Sequence, residues 1–342
     1  MRFRFLSSFV FSALLLVGGM GSPAHAQQRL QNGDFNANPP TKFWTLDRPN
    51  LQTAPGVTGQ CIWLNLGGDQ NHDPSVSQDM TNLTPNARYV VLGQYKVGRD
   101  AYLHAKPGDK MLAVDIDGET KITAVAPTAP NDPKMIDVAQ WLTFAVSFTA
   151  TKTTHRLRIR GEIEGKDADV YIDEVSVTPA QEHLSNGNFD NKLSANDWKL
   201  ENINPALGGY QTEPKDGKSN GYVWVNGPGG VNDPAIVQTM RNLKVGQNYI
   251  ISCQYRTGRD AEGQRSMPGN ALVAITIDGA EKSRAFAPSA KGDSNKLDKV
   301  SWNSVTVKFK ATKAEHVLKI VAELAGVDAD VDIDNISVVP VE

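Results

Sequence analysis

The chain has 342 residues, 35 Lys and Arg against 38 Asp and Glu, and a formal charge of −3. Charges of both signs are interspersed, so nothing draws the protein to nucleic acid or to an anionic membrane surface. Two cysteines in a chain of this length exclude a small disulfide scaffold, and the length itself suggests two domains, each large enough to bury its own core.

The first element is a leader. Met1-Arg2-Phe3-Arg4 is basic, Phe5 to Val17 is apolar, and small residues lead to Ala24-His25-Ala26. This is the order of a cleaved signal peptide, residues 1–26, and the apolar run is short for a membrane span. The expectation is a secreted or periplasmic bacterial protein, cut after Ala26, with no later span.

From there the chain says the same thing twice. Leu30-Gln31-Asn32-Gly33-Asp34-Phe35 returns as Leu184-Ser185-Asn186-Gly187-Asn188-Phe189, and Trp44 returns as Trp198. Ile62-Trp63-Leu64-Asn65 matches Val223-Trp224-Val225-Asn226. Gln94-Tyr95 and Gly98-Arg99-Asp100-Ala101 match Gln254-Tyr255 and Gly258-Arg259-Asp260-Ala261. Asp117-Gly118, Trp141 and Asp169-Val170-Tyr171-Ile172-Asp173 match Asp278-Gly279, Trp302 and Asp330-Val331-Asp332-Ile333-Asp334. Each copy is far longer than a solenoid unit and is read as a domain. The boundaries are 27–178 and 184–342, with a short linker at 179–183 that is not Gly/Ser-rich and so holds the copies in contact.

Within each copy the apolar residues alternate. Leu112, Val114 and Ile116 share a face, as do Val273, Ile275 and Ile277; Phe144, Val146 and Phe148 correspond to Val305, Val307 and Phe309. Gly, Pro, Asn and Asp clusters separate these runs. The pattern predicts an all-β chain: two tandem antiparallel β-sandwich (jelly-roll) domains related by internal duplication. In the last strand of each copy the apolar parity slips, at Asp173-Glu174 and at Asp334-Asn335. A β-bulge repairs such a slip and turns the aspartate inward or to a strand edge near the Asn-Gly-x-Phe segment.

The opening Asn-Gly-x-Phe, the Trp that follows, Trp141 leading a strand that ends in Phe148-Thr149-Ala150, and the closing acidic strand together resemble the galactose-binding-like jelly rolls, including bacterial carbohydrate-binding modules. The resemblance covers both copies. It implies a sandwich fold and, in many relatives, a structural Ca²⁺ between first and last strands. Carried over, the candidate ligands are Asp34 with Asp173, and Asn188 or Asp190 with Asp334; relatives often have Glu after the opening Phe, where this chain has Asn36 and Asp190. The other reading of Asp173 and Asp334 is as carboxylates that cap backbone N–H groups at the bulge.

Parity divides the strand Cys61 to Asn65 into core residues Ile62 and Leu64 and an opposite face of Cys61, Trp63 and Asn65. In the second copy Tyr222, Trp224 and Asn226 take that face. The next long strand adds Gln94 and Lys96, or Gln254 and Arg256. Tryptophan with amides and a cation suits a sugar, whose C–H face meets the ring while its hydroxyls meet the polar groups. The candidate ligand set is therefore Trp63, Asn65, Gln94 and Arg99 with Tyr222, Trp224, Asn226, Gln254, Arg256 and Arg259; the loop arginines are equally readable as structural partners of neighbouring carboxylates. Arg156, Arg158 and Arg160 form a stripe found only in the first copy. The sequence holds no motif of a nucleophile elbow, zinc protease or phosphate loop; paired carboxylates such as Asp115 and Asp117 serve glycoside hydrolysis only at the right separation, and the pair is not duplicated, since the second copy has Thr276 and Asp278. The leading expectation is a non-catalytic binder of a polysaccharide or other glycan. The alternatives are a structural or protein-interaction module with an envelope protein partner and, behind it, a hydrolase or lyase.

Overall fold

The structure is a computed structural model that describes residues 29–47, 52–65, 72–99, 101, 104–164, 168–181, 183–191, 197–203, 209–215, 218–228, 232–258, 267–290, 293–324 and 328–341. The leader segment lies outside the described residues.

The first copy contributes β1 (Thr45–Asp47), β2 (Gln52–Pro55), β3 (Gln60–Asn65), β4 (Ser75–Met80), β5 (Arg88–Val97), β6 (Lys110–Ile116), β7 (Glu119–Val125), β8 (Thr128–Ala129), β9 (Asp132–Ile136), β10 (Leu142–Thr149), β11 (His155–Gly161) and β12 (Asp169–Pro179). The second contributes β13 (Lys199–Glu201), β14 (Gly209–Lys215), β15 (Lys218–Pro228), β16 (Ala235–Met240), β17 (Asn248–Thr257), β18 (Ala271–Ile277), β19 (Ala280–Phe286), β20 (Ser289–Ala290), β21 (Asp293–Leu297), β22 (Asn303–Lys310), β23 (His316–Ala322) and β24 (Asp328–Val341). In the first copy an outer sheet, β1-β4-β11-β6-β7, packs on an inner sheet, β10-β5-β12-β3-β2; in the second, β13-β16-β23-β18-β19 packs on β22-β17-β24-β15-β14. Strand order repeats position by position, so the duplication seen in the sequence is a duplication of topology.

Alternation builds each core. Ile62, Leu64, Tyr89, Val91, Tyr95, Leu112, Val114, Phe144, Val146, Leu157 and Ile159 fill the first, with their counterparts in the second. Burial of each large apolar side chain stabilises by about 1.5–3 kcal/mol relative to exposure. The Asn-Gly-x-Phe motif has a specific mechanical role. Asn32 and Phe35 adopt positive φ, Trp44 Nε1–H donates to Asn32 O at 2.9 Å, and the Phe35 and Trp44 rings meet at 5.2 Å. Gly33 O accepts the Val175 N–H at 2.7 Å, and a Cβ on Gly33 would fall 1.8 Å from Val175 O. Gly187 meets Ile336 in the same way.

That contact is made at the parity slip. The pairing of β12 with β5 shifts register between Asp173 and Ser176, and Glu174 has φ 53°; Asn335 has φ 49° at the matching place in β24. Both expected bulges are present. At the bulges Asp173 and Asp334 are buried, to 0% and 1% exposure. The Asn-Gly-x-Phe segment itself lies against the residue after each bulge rather than against the aspartate.

The copies are packed together through their inner sheets. Val90, Leu92 and Ala145 from the first bury against Val339 of the second, with Ile250 and Val341 beside them. Ser147, Ser252 and Ser337 join across the contact, Thr123 Oγ1 meets Asn303 Oδ1 at 2.7 Å, and Lys110 pairs with buried Asp298. Thr123 N–H donates to Trp302 O at 2.7 Å, a single parallel bridge between β7 and β22. The equivalent glycines Gly108 and Gly269 touch across the contact. Described residues of the linker are tied to both copies: Ala180 N–H donates to Arg88 O, Gln181 bridges to Val338, and His183 packs edge-on against Tyr249.

Candidate functional site

Cross-strand register lines up four side chains on the open end of the first copy's inner sheet. Trp63 on β3 lies opposite Tyr171 on β12, and Tyr171 lies opposite Lys96 on β5. Trp141, just before β10, completes the row on the far side of Lys96. Neighbouring strands are about 4.8 Å apart, so the row crosses the sheet over about 15 Å. All four side chains are half-buried. The Trp63 and Tyr171 rings are nearly parallel, 13° apart, with centroids at 6.0 Å. Lys96 Nζ stands 5.1 Å from the Tyr171 centroid and 5.3 Å from that of Trp141, in reach of cation–π attraction to both. Beside the row, on the same face of β12 as Tyr171, buried Asp169 accepts Trp63 Nε1–H at 2.8 Å, which fixes the indole. Gly98 permits this: a Cβ there would fall 1.9 Å from the Asp169 carboxylate.

The second copy repeats the row with two changed members, Arg256 in place of Lys96 and Asp332 in place of Tyr171. Trp224 and Arg256 both lie opposite Asp332, which stands where Tyr171 stands in the first copy. Arg256 donates from Nε at 2.9 Å and Nη2 at 2.7 Å to Asp332 Oδ2 and lies 4.6 Å over the Trp302 ring. Its charge is matched by a carboxylate and its plane is stacked. The side chains of Tyr222, Trp224 and Asn226 lie outside the described residues, as does Arg259.

The remaining sequence candidates divide. Asn65 and Gln94 are half-buried on the same face as Trp63, beside Asp169 and Asp173 respectively. Arg99 is exposed in the turn that follows β5. Gln254 is 5% exposed, and its Oε1 accepts Asn335 Nδ2–H at 3.1 Å, so it serves the bulge. Cys61 shares the parity of Trp63 but is fully buried, with its thiol directed at Pro55 O on β2; burial and nearby Asp173 push its pKa up to about 11. Cys253 is a core residue, and both thiols are free. Sequence reasoning placed Lys96 on this face but left Lys96, Trp141 and Tyr171 out of the candidate set. The outward parity of Tyr171 between Val170 and Ile172 was the available signal.

The proposed metal ligands do not fit a calcium ion. Asp173 Oδ2 accepts the Val57 N–H at 2.7 Å and Oδ1 the Glu174 N–H at 2.8 Å, so N–H dipoles rather than oxygen donors surround it. Burial nonetheless pushes its carboxyl up to about 6, against those two hydrogen bonds. Asp34 is exposed and bonds Asn36. In the second copy Asp334 accepts the N–H and Nδ2–H of Asn335, and Asn188 donates to Asp190. Burial raises Asp334, neighbouring Asp190 adds to the rise, and the Arg88 guanidinium of the first copy opposes it. Arg88 therefore places positive charge beside the bulge carboxylate of the other copy. Among the described residues no three His, Cys, Asp or Glu side chains converge as a metal site.

The arginine stripe is neutralised by its own sheet. Arg156 meets Asp79, Arg158 meets Asp47, and Arg160 meets Asp115, Glu162 and Asp73. The carboxylate pair Asp115 and Asp117 is divided between two networks. Asp115 binds Arg160 and Thr120, whereas Asp117 accepts from His155 Nδ1 at 2.8 Å and from the Arg156 N–H. His155 Nε2 in turn accepts the Thr151 and Lys152 N–H groups, so both ring nitrogens are committed to a turn. His316 and Asp278 repeat the arrangement with the Thr312 and Lys313 N–H groups.

No family model and no curated protein sequence matches the chain. Solved structures similar to it include the tandem CBM22-1–CBM22-2 domain of Paenibacillus barcinonensis Xyn10C, at 13% identity and TM-score 0.32, covering 88% of this chain and 94% of that one. The tandem CBM51 modules of the family 98 glycoside hydrolase Sp3GH98 from Streptococcus pneumoniae are similar at 12% identity and TM-score 0.27, covering 87% and 93%. A cyclase from Fischerella sp. TAU is similar at 13% identity and TM-score 0.34, covering 46% of this chain and 96% of its own.

Proposed function

We propose that this chain is a non-catalytic binder of polysaccharide, acting outside the cytoplasm after removal of the leader, and that it holds its ligand on the first copy's inner sheet. The observation that carries the reading is the half-exposed row Trp63–Tyr171–Lys96–Trp141, with Asp169 holding the Trp63 indole. Aromatic rings in a polar surround favour sugar C–H faces, while Asn65 and Gln94 lie close enough to serve hydroxyls. Retention of the purified protein on immobilised polysaccharides, neutral and acidic, tests this. Retention by at least one polymer, lost in Trp63→Ala, supports it; passage through all of them unretarded refutes it.

A second reading is favoured by one difference between the copies. Ser77, Arg156 and Arg160 on the first outer sheet become Val237, Val317 and Val321 on the second, and Val317 is 42% exposed. This face suits a protein partner in the cell envelope. Capture of an envelope protein by the native chain, but not by Val317→Asp, would favour it over glycan binding.

A further inference from the structure

We infer that the chain has one glycan site, in the first copy, and that its ligand carries carboxylate groups; this rests on the glycan-binding reading above. Two lines of observation lead there. The first is a comparison between the copies. The rows are equivalent in register, and one position changes their electrostatics: Tyr171 in the first copy, Asp332 in the second. With Asp332 present, Arg256 is held by two hydrogen bonds to one carboxylate oxygen and lies over Trp302, so the cation of that row is already paired. An incoming acidic sugar there would have to displace a carboxylate already in place. An ion pair with side-chain exposures of 12% and 7% is well shielded from water and from such exchange.

The second line concerns Lys96. Its ammonium lies between the Tyr171 and Trp141 rings and makes no ion pair among the described residues. The carboxylates of its own face are engaged elsewhere. Asp169 accepts the Trp63 indole N–H, and Asp173 accepts the Val57 and Glu174 amides. A half-exposed cation between two aromatic rings is held in one place, and it is better able to attract an anion than a lysine already paired on the surface. A polymer lying along the row would bring its rings to Trp63 and Tyr171 and a carboxylate to Lys96. Tyr171 is thus the residue that opens the first row, and Asp332 the one that closes the second.

The experiment uses polygalacturonate, alginate and glucuronoxylan, each beside its carboxyl-reduced form, which keeps the linkages and removes the charge. Oligosaccharides of each are titrated into the mature protein by calorimetry at low and high salt. The expected result is that at least one acidic ligand binds at one per chain, about tenfold or more tighter than its reduced partner, with the preference weakened by salt. Lys96→Gln should abolish the preference and Lys96→Arg should retain it. Equal affinity for acidic and reduced forms, or two equivalent sites per chain, overturns this inference and leaves the glycan reading standing. No binding to either form by the native protein, together with no retention on neutral polymers, overturns both.

Discussion

Gly93 on β5 and Phe144 on β10 are cross-strand partners, and a Cβ on Gly93 would fall 2.2 Å from Phe144 Cζ. In the second copy the same pair is Cys253 opposite Val305. The large ring of one copy is balanced by a missing side chain, and the smaller valine of the other by a thiol. Cys253 is therefore a packing residue whose burial raises its pKa strongly and leaves it unreactive. Gly93→Cys should destabilise by about 1–3 kcal/mol through overpacking. Adding Phe144→Val should recover most of the loss, which a double-mutant cycle in denaturant would measure.

The His–Asp clamps make stability depend on acid. Burial of Asp278 acts to raise its pKa, but the Val317 N–H, His316 and Lys313 outweigh it and hold the carboxyl at about 2. A carboxyl depressed in the folded state adds stability in full above its unfolded value, and this is lost as pH falls toward the folded one. Its contribution should fade from about pH 4 down to about pH 2. Asp278→Asn should cost about 1 kcal/mol at neutral pH, after allowance for solvent screening at a partly exposed group, and nearly nothing at about pH 2. Melting temperatures of both proteins across that range would show the two curves converging.

The copies should unfold as one unit. Lys110 and Asp298 form a buried ion pair between them, with side-chain exposures of 11% and 6%, and Lys110 also donates to Ser301 at 2.8 Å. Removing one partner strands the other charge, at a cost of about 3–5 kcal/mol. Scanning calorimetry should give one transition for the native chain. For Asp298→Ala it should give a lower melting temperature, with a second transition as the copies separate.

Much of this architecture is legible in the chain because alternation is a property of single strands. Ile62 and Leu64 had to face inward together, and the slip at Asp173-Glu174 had to be a bulge. The contact between copies was harder to see. Parity assigns Val90 and Leu92 to the wet face of β5, yet they are buried against Val339. The unbroken run Tyr89-Val90-Val91-Leu92 was the sign that both faces are covered, as in any strand packed on two sides. The aromatic row was legible at Trp63 but not at Tyr171, because Tyr171's place in it comes from cross-strand neighbours that only the register reveals. The metal expectation came from residue type at matched positions. Residue type at Asp173 and Asp334 permits a cation, whereas the local backbone directs N–H groups at them, and Arg88 arrives from the other copy.

The central claim is that the half-exposed aromatic row of the first copy holds a polysaccharide. Isothermal titration of the best-retained oligosaccharide into the native protein and into Trp63→Ala, with the fold of both verified by circular dichroism, tests it most directly. The structure predicts a loss of affinity of about tenfold or more, that is about 1.4 kcal/mol or more, in a variant that remains folded. A folded Trp63→Ala that binds with native affinity would contradict it.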